Sequence, residues 1–292
     1  MESKQNDKQY YAMDNEQGSN FTLLLCRDEF NMRLRVDDYN YEGNMDALCS
    51  RLTELMSNPL FTKLFVKTRE TDMRILLAKG YMLEGIYKGY FDGEDAYCMA
   101  KYTDLARRAS DHWIEEDHIL EQVLALQPKP DRESLAEPFS IRKAEAKDAG
   151  ELAFLYGQIF QTYPIPMNDP GYVAHVMEEG TLFVVVEHEG HIISAASAEI
   201  NTKYRNAELT DCLTLPAYRG HGLMRQLLHV LEEELQLRDI RSTYSLSRAL
   251  SFGMNAALFQ LGYDYQGRLT KNCDIYDKFE DMNLWCKMLP EQ

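Results

Sequence analysis

A glycine-rich turn stands between a strand-like run and a helix-like run at residues 216–229, which read PAYRGHGLMRQLLH. The preceding run, AELTDCLTL, is typical of a strand, and apolar residues after the glycines repeat at helical spacing. The first N–H groups of such a helix have no intrahelical partner and carry partial positive charge. The turn therefore predicts an anion site suited to a pyrophosphate, although an ordinary surface turn can have the same sequence.

Carboxylates near this turn are the residues best suited to acid–base chemistry. Glu208 and Asp211 share the strand before the turn, and Glu199 belongs to the strand before that one. Strand alternation predicts that Glu208 and Asp211 point to opposite faces, so that one faces a cleft and the other packs elsewhere. A carboxylate can remove a proton or hold an ammonium group, and each can equally be a solvated or salt-bridged strand residue.

The N-terminal part of the chain mixes strands and helices. Residues 1–18 are polar and are expected to be disordered. Strands are predicted at 21–26, 31–36, 63–67, 81–91 and 96–102, and helices at 44–56, 71–80 and 113–126. The run QPKPDRESLAEP is rich in proline and charge and marks the predicted domain boundary. We therefore expect an α/β domain over 19–107, a helix and linker over 108–137, and a second domain over 138–290.

The second domain follows the order β-α-α-β-β-β-α-β-α-β-β, which predicts a mixed α/β sheet. Its segment 254–267, MNAALFQLGYDYQG, is similar to segment 72–85, DMRILLAKGYMLEG. One interpretation is that the N-terminal domain is a degenerate half-copy of the second domain, without the glycine-rich turn. The other is that any junction of helix, glycine and strand looks like this.

Composition narrows the class of protein. The net charge of −16 argues against a nucleic-acid partner, and the apolar fraction of 45% is normal for a globular core. No run is long and apolar enough to span a membrane, and the polar N-terminus does not read as a secretory signal. The six cysteines are widely spaced without a CxxC pair, so we expect reduced thiols, no metal and a cytoplasmic protein.

The pattern Arg-x-x-Gly-x-x at 219–224, preceded by a strand and by Pro-x-Tyr, resembles the acetyl-CoA motif of the GNAT superfamily of N-acetyltransferases. The order of elements over 138–290 is similar to theirs. The runs SFGMNAALFQLGYDYQG and GIYKGYFDGEDAYCMAKY, with MNLWCKML near the end, resemble the β-lysine N6-acetyltransferases within that superfamily. This second resemblance covers nearly the whole chain and implies a GNAT fold and an acetyl-CoA cosubstrate.

The resemblance also implies which residues hold CoA. The backbone amides expected at the pyrophosphate belong to Arg219, Gly220, His221, Gly222, Leu223 and Met224. Leu213 and Leu215 are expected to offer backbone groups to the pantetheine arm. Asn255 either contacts the CoA arm or is an exposed polar residue of its helix. Met224 stands where the family usually has Gly or Ala, so its side chain is expected to point into the core.

The implied chemistry needs a base, because a lysine-like amine with a pKa near 10.4 is almost fully protonated at neutral pH. We assign the base to Glu208, with Asp211 as the competitor and Glu199 third. Many family members have a tyrosine four residues before the glycine that ends the last helix, as general acid, but here that position is Leu258. The thiolate then leaves unprotonated or takes a proton from a neighbouring tyrosine. The tyrosines considered are Tyr244, Tyr263 and Tyr265.

On the acceptor side, the resemblance implies that the loop at 162–172 covers the amine pocket, where Tyr163, Asn168 and Tyr172 would contact substrate; a rigid surface loop is the alternative. Basic residues considered for an acceptor carboxylate are Lys203, Arg205 and Lys271. The function expected is acetylation of the terminal amine of β-lysine, whose product would suit a compatible solute. Acetylation of lysine, a polyamine or another small amine, and a silent acyl-CoA-binding module, are the alternatives. The oligomeric state is left open, with a homodimer among the options.

Overall fold

Thirteen strands form one mixed sheet in the computed structural model, which describes residues 10–129, 135, 137–276 and 278–290. The strands are β1 (Ala12–Gln17), β2 (Phe21–Asp28), β3 (Arg33–Tyr41), β4 (Lys63–Thr68), β5 (Met82–Phe91), β6 (Glu94–Tyr102), β7 (Ser140–Lys143), β8 (Leu182–His188), β9 (His191–Asn201), β10 (Asn206–Thr214), β11 (Ser242–Arg248), β12 (Asp264–Asp274) and β13 (Phe279–Met288). The helices are α1 (Asp46–Leu55), α2 (Glu70–Ala78), α3 (Leu105–Arg108), α4 (Trp113–Leu124), α5 (Ala149–Ile159), α6 (Pro170–Glu178), α7 (Leu223–Gln236) and α8 (Phe252–Gln260). The sheet order is β1-β2-β3-β4-β6-β5-β12-β13-β11-β10-β9-β8-β7.

The two halves of this sheet have the same strand pattern. In the N-terminal half, β3 and β4 run parallel and are joined through α1, and β4 then pairs antiparallel with β6. In the C-terminal half, β10 and β11 run parallel and are joined through α7, and β11 pairs antiparallel with β13. The mixed α/β sheet expected from the sequence is therefore confirmed.

The halves meet at the two strands that carry the similar segments. Gly85 ends segment 72–85 and lies directly opposite Gly267, the last residue of segment 254–267, in the antiparallel pairing of β5 and β12. Corresponding residues of the two segments therefore face each other at this seam, with α2 and α8 in corresponding positions. This arrangement is what a duplicated unit predicts, and the half-copy interpretation stays a hypothesis.

The sheet is strongly curved. In a flat sheet, the seven strand spacings between β3 and β10 would separate them by roughly 33 Å. Yet Tyr204, in the turn between β9 and β10, donates its hydroxyl to Asp38 of β3 at 2.7 Å. Asn206, the first residue of β10, donates to the carbonyl of Tyr90 at 2.6 Å. The ends of β9 and β10 therefore close onto the N-terminal half and leave a concave face between them.

Apolar packing covers the opposite, convex face. Leu34, Val36, Leu64 and Val66 of β3 and β4 pack with residues of α1 and α2. Alanines of β9 and β10, together with Leu209, pack with the leucines of α7. Because strand side chains alternate, the residues between them point to the concave face, as Arg35, Asp37 and Lys67 do.

Most predicted elements are confirmed, because their apolar spacing already distinguishes helix from strand. The expected disorder at 1–18 is wrong for Ala12–Gln17, which pairs with β2 as an edge strand; residues 1–9 lie outside the described part. Much of the predicted linker, at 130–134 and 136, is outside it too. Because one sheet runs through both expected domains, their limits stay predictions. None of the described helices is long and apolar enough to cross a membrane.

We expect Gly267→Ala to destabilise the fold by about 2–5 kcal/mol. A Cβ at Gly267 would lie 2.2 Å from the carbonyl oxygen of Glu84, and the φ of +139° is one that side chains rarely adopt. Gly150→Ala is the control, since its Cβ would meet nothing within 4 Å and helical Ala is favoured over Gly by about 0.5–1 kcal/mol. Urea unfolding measures both, and an unchanged midpoint for Gly267→Ala would contradict a tight seam.

Candidate active site

The glycine-rich turn is a left-handed bend that delivers the chain from β10 into α7. A 3-10 turn at Pro216–Tyr218 follows β10, and Gly220 and Gly222 then adopt φ values of +86° and +71°. A Cβ on either glycine would meet nothing within 4 Å. Glycine is required there by backbone conformation, and the space in front of the turn is open. The N–H groups at the start of α7 therefore face an accessible region.

A cleft of about 490 Å³ lies beside this turn. One wall is the end of β10 and the start of α7, and the opposite wall is α8, where small residues keep the surface flat. Its lining includes Cys212, Leu213, Thr214, Tyr218, Arg219, Gly220, Gly222, Leu223, Met224, Arg248, Ser251, Gly253, Met254, Ala256, Ala257 and Tyr276.

β10 and β11 separate beyond Glu208. The two strands pair over only three positions, Asn206–Glu208 with Ser242–Tyr244. Past that point β10 has a bulge, where its register with β9 shifts between Thr210 and Leu213 and Asp211 adopts a φ of +50°. A bulge bends its strand and leaves backbone groups unpaired, and such strained residues concentrate at functional sites.

A second cavity of about 110 Å³ occupies the gap between the separated strands. It shares lining residues with the larger cleft, namely Phe160, Cys212, Arg248, Ser251 and Met254. Its other wall includes Asp211 and Tyr163. The cleft beside the glycine turn therefore continues between the strands as far as the carboxylate on the bulge.

The three predicted carboxylates lie on one face of the sheet. Glu208 and Glu199 are directly opposite each other on β10 and β9, so they share a face. Asp211 accepts a 2.6 Å hydrogen bond from Ser197, two residues from Glu199, and so joins them. The prediction that Glu208 and Asp211 point to opposite faces is wrong, because the bulge at Asp211 breaks the alternation of β10.

Their environments differ. Although the side chain of Glu199 is exposed, desolvation by the surrounding protein and the charges of Glu208 and Asp211 raise its pKa to about 8. Burial raises the pKa of Asp211 to about 6, while hydrogen bonds from Ser197 and Tyr163 oppose the rise. Burial also raises the pKa of Glu208, and the charges of Lys67 and Arg35 and a hydrogen bond from Tyr244 oppose it. The site can therefore hold both protonated and ionised carboxyl groups near neutral pH.

The comparisons with known proteins agree with this geometry. The sequence model of the acetyltransferase (GNAT) family matches residues 150–263. The N-acetyltransferase YodP of Bacillus subtilis is 40% identical over 271 residues, which are 93% of this chain and 98% of that protein. The chain belongs to the GNAT family.

Two further relatives of this GNAT enzyme are named β-lysine N(6)-acetyltransferases. The protein of Methanosarcina mazei is 36% identical over 270 residues, covering 86% of this chain and 100% of the relative. That of Methanococcus maripaludis is 30% identical over 257 residues, covering 88% of this chain and 91% of the relative. The GNAT chain is thus an acetyl-CoA-dependent N-acetyltransferase, as the resemblance in sequence implied.

Not every residue expected at CoA is placed to bind it. The amide of Leu215 donates to the carbonyl of Ile193 at 2.9 Å, so it faces β9. Successive residues of a strand present their backbone groups to opposite edges, so Leu213, two positions before Leu215, also faces β9. The open edge of β10 belongs instead to Cys212 and Thr214, which line the cleft. The expectation for Leu213 and Leu215 is therefore wrong for their N–H groups, and the bulge is the reason.

Asn255 is a structural residue of the GNAT enzyme, contrary to both expectations. Its side chain is fully buried, and its Oδ1 accepts hydrogen bonds from Ser247, Asn283 and Trp285 at 2.8–2.9 Å. Its Nδ2 donates to two backbone carbonyls, at 2.7 and 2.9 Å. A side chain so fully hydrogen-bonded has no group left for CoA.

The turn residues themselves divide into two groups. Gly220, Gly222, Leu223 and Met224 line the cleft, and Met224 is half-buried against the core beneath α7. The amide of Arg219 donates to the carbonyl of Pro216 at 3.3 Å, so this amide does not face the cleft. Arg219 therefore lines the cleft through its side chain. His221 is exposed, and its ring lies 5.5 Å from that of Phe139, outside the cleft lining.

Of the three residues expected to contact the acceptor, two lie near the carboxylates and one does not. Tyr163 donates to Asp211 at 3.1 Å, and Tyr172 lies near enough to Glu199 and Asp211 for their charges to help raise its pKa. Asn168 is exposed and lines a separate small cavity. The basic residues considered as partners of an acceptor carboxylate form ion pairs elsewhere: Lys203 with Asp38, Arg205 with Asp92 and Asp239, and Lys271 with Asp111.

Of the tyrosines considered as general acid, only Tyr244 is at the carboxylate site, where it donates to Glu208. Tyr263 is buried and bonded to Thr243, and Tyr265 packs on Trp285. Sequence reasoning missed Tyr276, which lines the cleft beneath the guanidinium of Arg248 at 4.8 Å. In the described part of the chain, no group of three or more metal-ligating side chains could hold a metal ion.

We expect Glu199→Gln to weaken the pH dependence of stability. A carboxyl whose pKa rises from 4.5 to about 8 on folding stabilises the fold while protonated, and this stability is lost as pH rises through about 8. The melting temperature of the variant should therefore fall less than that of the wild type between about pH 6 and pH 9. Glu178→Gln, on the exposed side of α6, is the control. Parallel curves for wild type and Glu199→Gln would contradict the assigned environment.

Proposed function

We propose that this GNAT enzyme acetylates the terminal N6 amine of β-lysine by direct attack on acetyl-CoA in a ternary complex. The observation that carries the proposal is the cluster of Glu199, Glu208 and Asp211. Asp211 lines the gap where β10 and β11 separate, and Glu208 is the last residue of β10 that pairs with β11. A cluster of carboxylates suits an acceptor with two ammonium groups. The names of two relatives support the same acceptor.

The residues beside the glycine turn fit CoA. Open space in front of Gly220 and Gly222 and the amides at the start of α7 suit a pyrophosphate. The open edge of β10 offers the backbone groups of Cys212 and the N–H of Thr214 to an extended arm, since the Thr214 carbonyl accepts a 3.1 Å hydrogen bond from Arg219 Nε. The small residues of α8 offer apolar contact. When bound, acetyl-CoA supplies the acetyl group as a thioester, and backbone N–H groups at the bulge are suited to stabilise charge on its carbonyl oxygen.

Glu208 is the proposed base. The acceptor ammonium has an ordinary pKa near 10.4, so its proton must be removed before the nitrogen can attack. Glu208 is half-accessible beside the gap between the strands, whereas Asp211 is nearly fully buried and is held by two donors. We therefore assign Asp211 to positioning Tyr163 and the bulge, and Glu199 to holding the ammonium group beside Glu208.

Glu208→Gln tests the base. We expect kcat to fall about 100-fold or more, because general-base catalysis contributes about 10²–10⁴-fold. The acidic limb of the pH–rate profile should move, while the KM for acetyl-CoA stays close to that of the wild type. A steady-state pH series measures this. Asp211→Asn is the matched comparison, and a larger loss of kcat there, with an unmoved limb in Glu208→Gln, would reassign the base to Asp211.

The acceptor is tested with purified enzyme, acetyl-CoA and a panel of amines, by following release of free CoA. We expect the highest kcat/KM with β-lysine, compared with α-lysine, spermidine and simple diamines. Mass spectrometry of the product should place the acetyl group on N6. A higher kcat/KM with a polyamine would overturn β-lysine as the acceptor and leave the acetyltransferase activity in place.

A further inference from the structure

We propose that the N-terminal half completes the acceptor site, with Arg35 of β3 binding the carboxylate of the amino-acid acceptor. The inference rests on the proposed function, since it assumes an acceptor with a carboxylate at the end away from the reacting amine. It would give the N-terminal half, which has no glycine-rich turn, a direct part in selecting the substrate.

Strand alternation places three charged residues of this half on the concave face. Arg35 and Asp37 of β3 and Lys67 of β4 alternate with the core residues Leu34, Val36 and Val66, which pack on the other face. That concave face is the one on which Tyr244 lies against Tyr87 and Tyr90. Lys67 lies over the rings of Tyr90 and Tyr244, at 4.7 and 5.8 Å.

The curvature of the sheet brings these charges to the carboxylates. Asp38, next to Asp37, accepts a hydrogen bond from Tyr204, and Asn206, two residues before Glu208, bonds the backbone of Tyr90. Arg35 is close enough for its charge to oppose the rise that burial causes in the pKa of both Glu199 and Glu208. The cations of one half and the carboxylates of the other therefore face the same space.

Arg35 has unused hydrogen-bonding capacity. Its Nη2 donates to Asp37 at 3.3 Å, and its buried Nε has no hydrogen-bond partner among the described residues. About 31% of its side chain is accessible, whereas neighbouring Arg33 is 6% accessible and bonded to Asp28 at 2.7 Å. Lys67 is already satisfied by Asp37 and Tyr90, each at 3.0 Å. Arg35 is therefore the better placed of the two cations to receive a carboxylate.

The chemistry matches a zwitterion with an extra amine. Glu199 and Glu208 provide carboxyl oxygens that accept hydrogen bonds from an ammonium group, and Arg35 provides a planar guanidinium for a carboxylate. A simple diamine lacks the group that Arg35 would bind and would leave that guanidinium without its anion. The arrangement therefore favours diamino acids over polyamines.

The test compares Arg35→Gln with the wild type on β-lysine and on the diaminopentane that remains when its carboxylate is removed. For the wild type we expect a lower KM with β-lysine. In Arg35→Gln the KM for β-lysine should rise about 10- to 100-fold, the range for a lost charged hydrogen bond, while the KM for the diamine changes little. The KM for acetyl-CoA should be unchanged, and Arg35→Lys should restore part of the preference.

Arg74→Gln, on the exposed side of α2, is the matched control, and thermal melting checks that each variant is folded. An equal rise in KM for both acceptors, or no rise at all, would overturn the role of Arg35 while leaving β-lysine as the substrate. If the wild type prefers another amino-acid acceptor, the same comparison is made with that acceptor and its decarboxylated form. A wild type that prefers the diamine would overturn this inference together with the choice of β-lysine.

Discussion

The backbone contact between Gly85 and Gly267 is the constraint on which the rest of the molecule depends. At this seam a six-stranded unit and a seven-stranded unit of one sheet meet with no side chain between them. A Cβ on Gly267 would lie 2.2 Å from a backbone oxygen of Glu84. The close approach allows the sheet to continue across the seam and to bend. The bend turns the faces of β3 and β10 toward each other, and the proposed acceptor site is the space between them.

Two changes in strand pairing then build the candidate active site within the C-terminal unit. β10 leaves β11 after Glu208, and the bulge at Asp211 rotates that residue onto the face of Glu199 and Glu208. The first opens a path from the cleft at the glycine turn to the carboxylates, and the second gathers three carboxyl groups at its end. The crowding raises the pKa of Glu199, and the charges of Lys67 and Arg35 oppose this rise at both glutamates.

Local pattern was enough to predict nearly all of the helices and strands, because each has clear apolar periodicity and glycines or prolines at its ends. It failed at Ala12–Gln17, whose polar residues form a strand only because β2 offers an edge to pair with. Pattern also predicted the glycine turn, because the left-handed conformations of Gly220 and Gly222 restrict the residue type. It failed for Asn255, since nothing in a helical NAA run shows that the buried side chain makes five hydrogen bonds.

The sequence by itself determined most of the elements and the glycine turn, and it predicted an anion site at that turn and three candidate carboxylates, because these depend on residue type and on neighbours within a few positions. Only the tertiary structure decided which groups share the site. The bulge overrode the alternation that separates Glu208 from Asp211, and the curvature brought Arg35 and Lys67 beside residues more than 130 positions later. Both outcomes depend on contacts between distant parts of the chain, and no local pattern records such contacts.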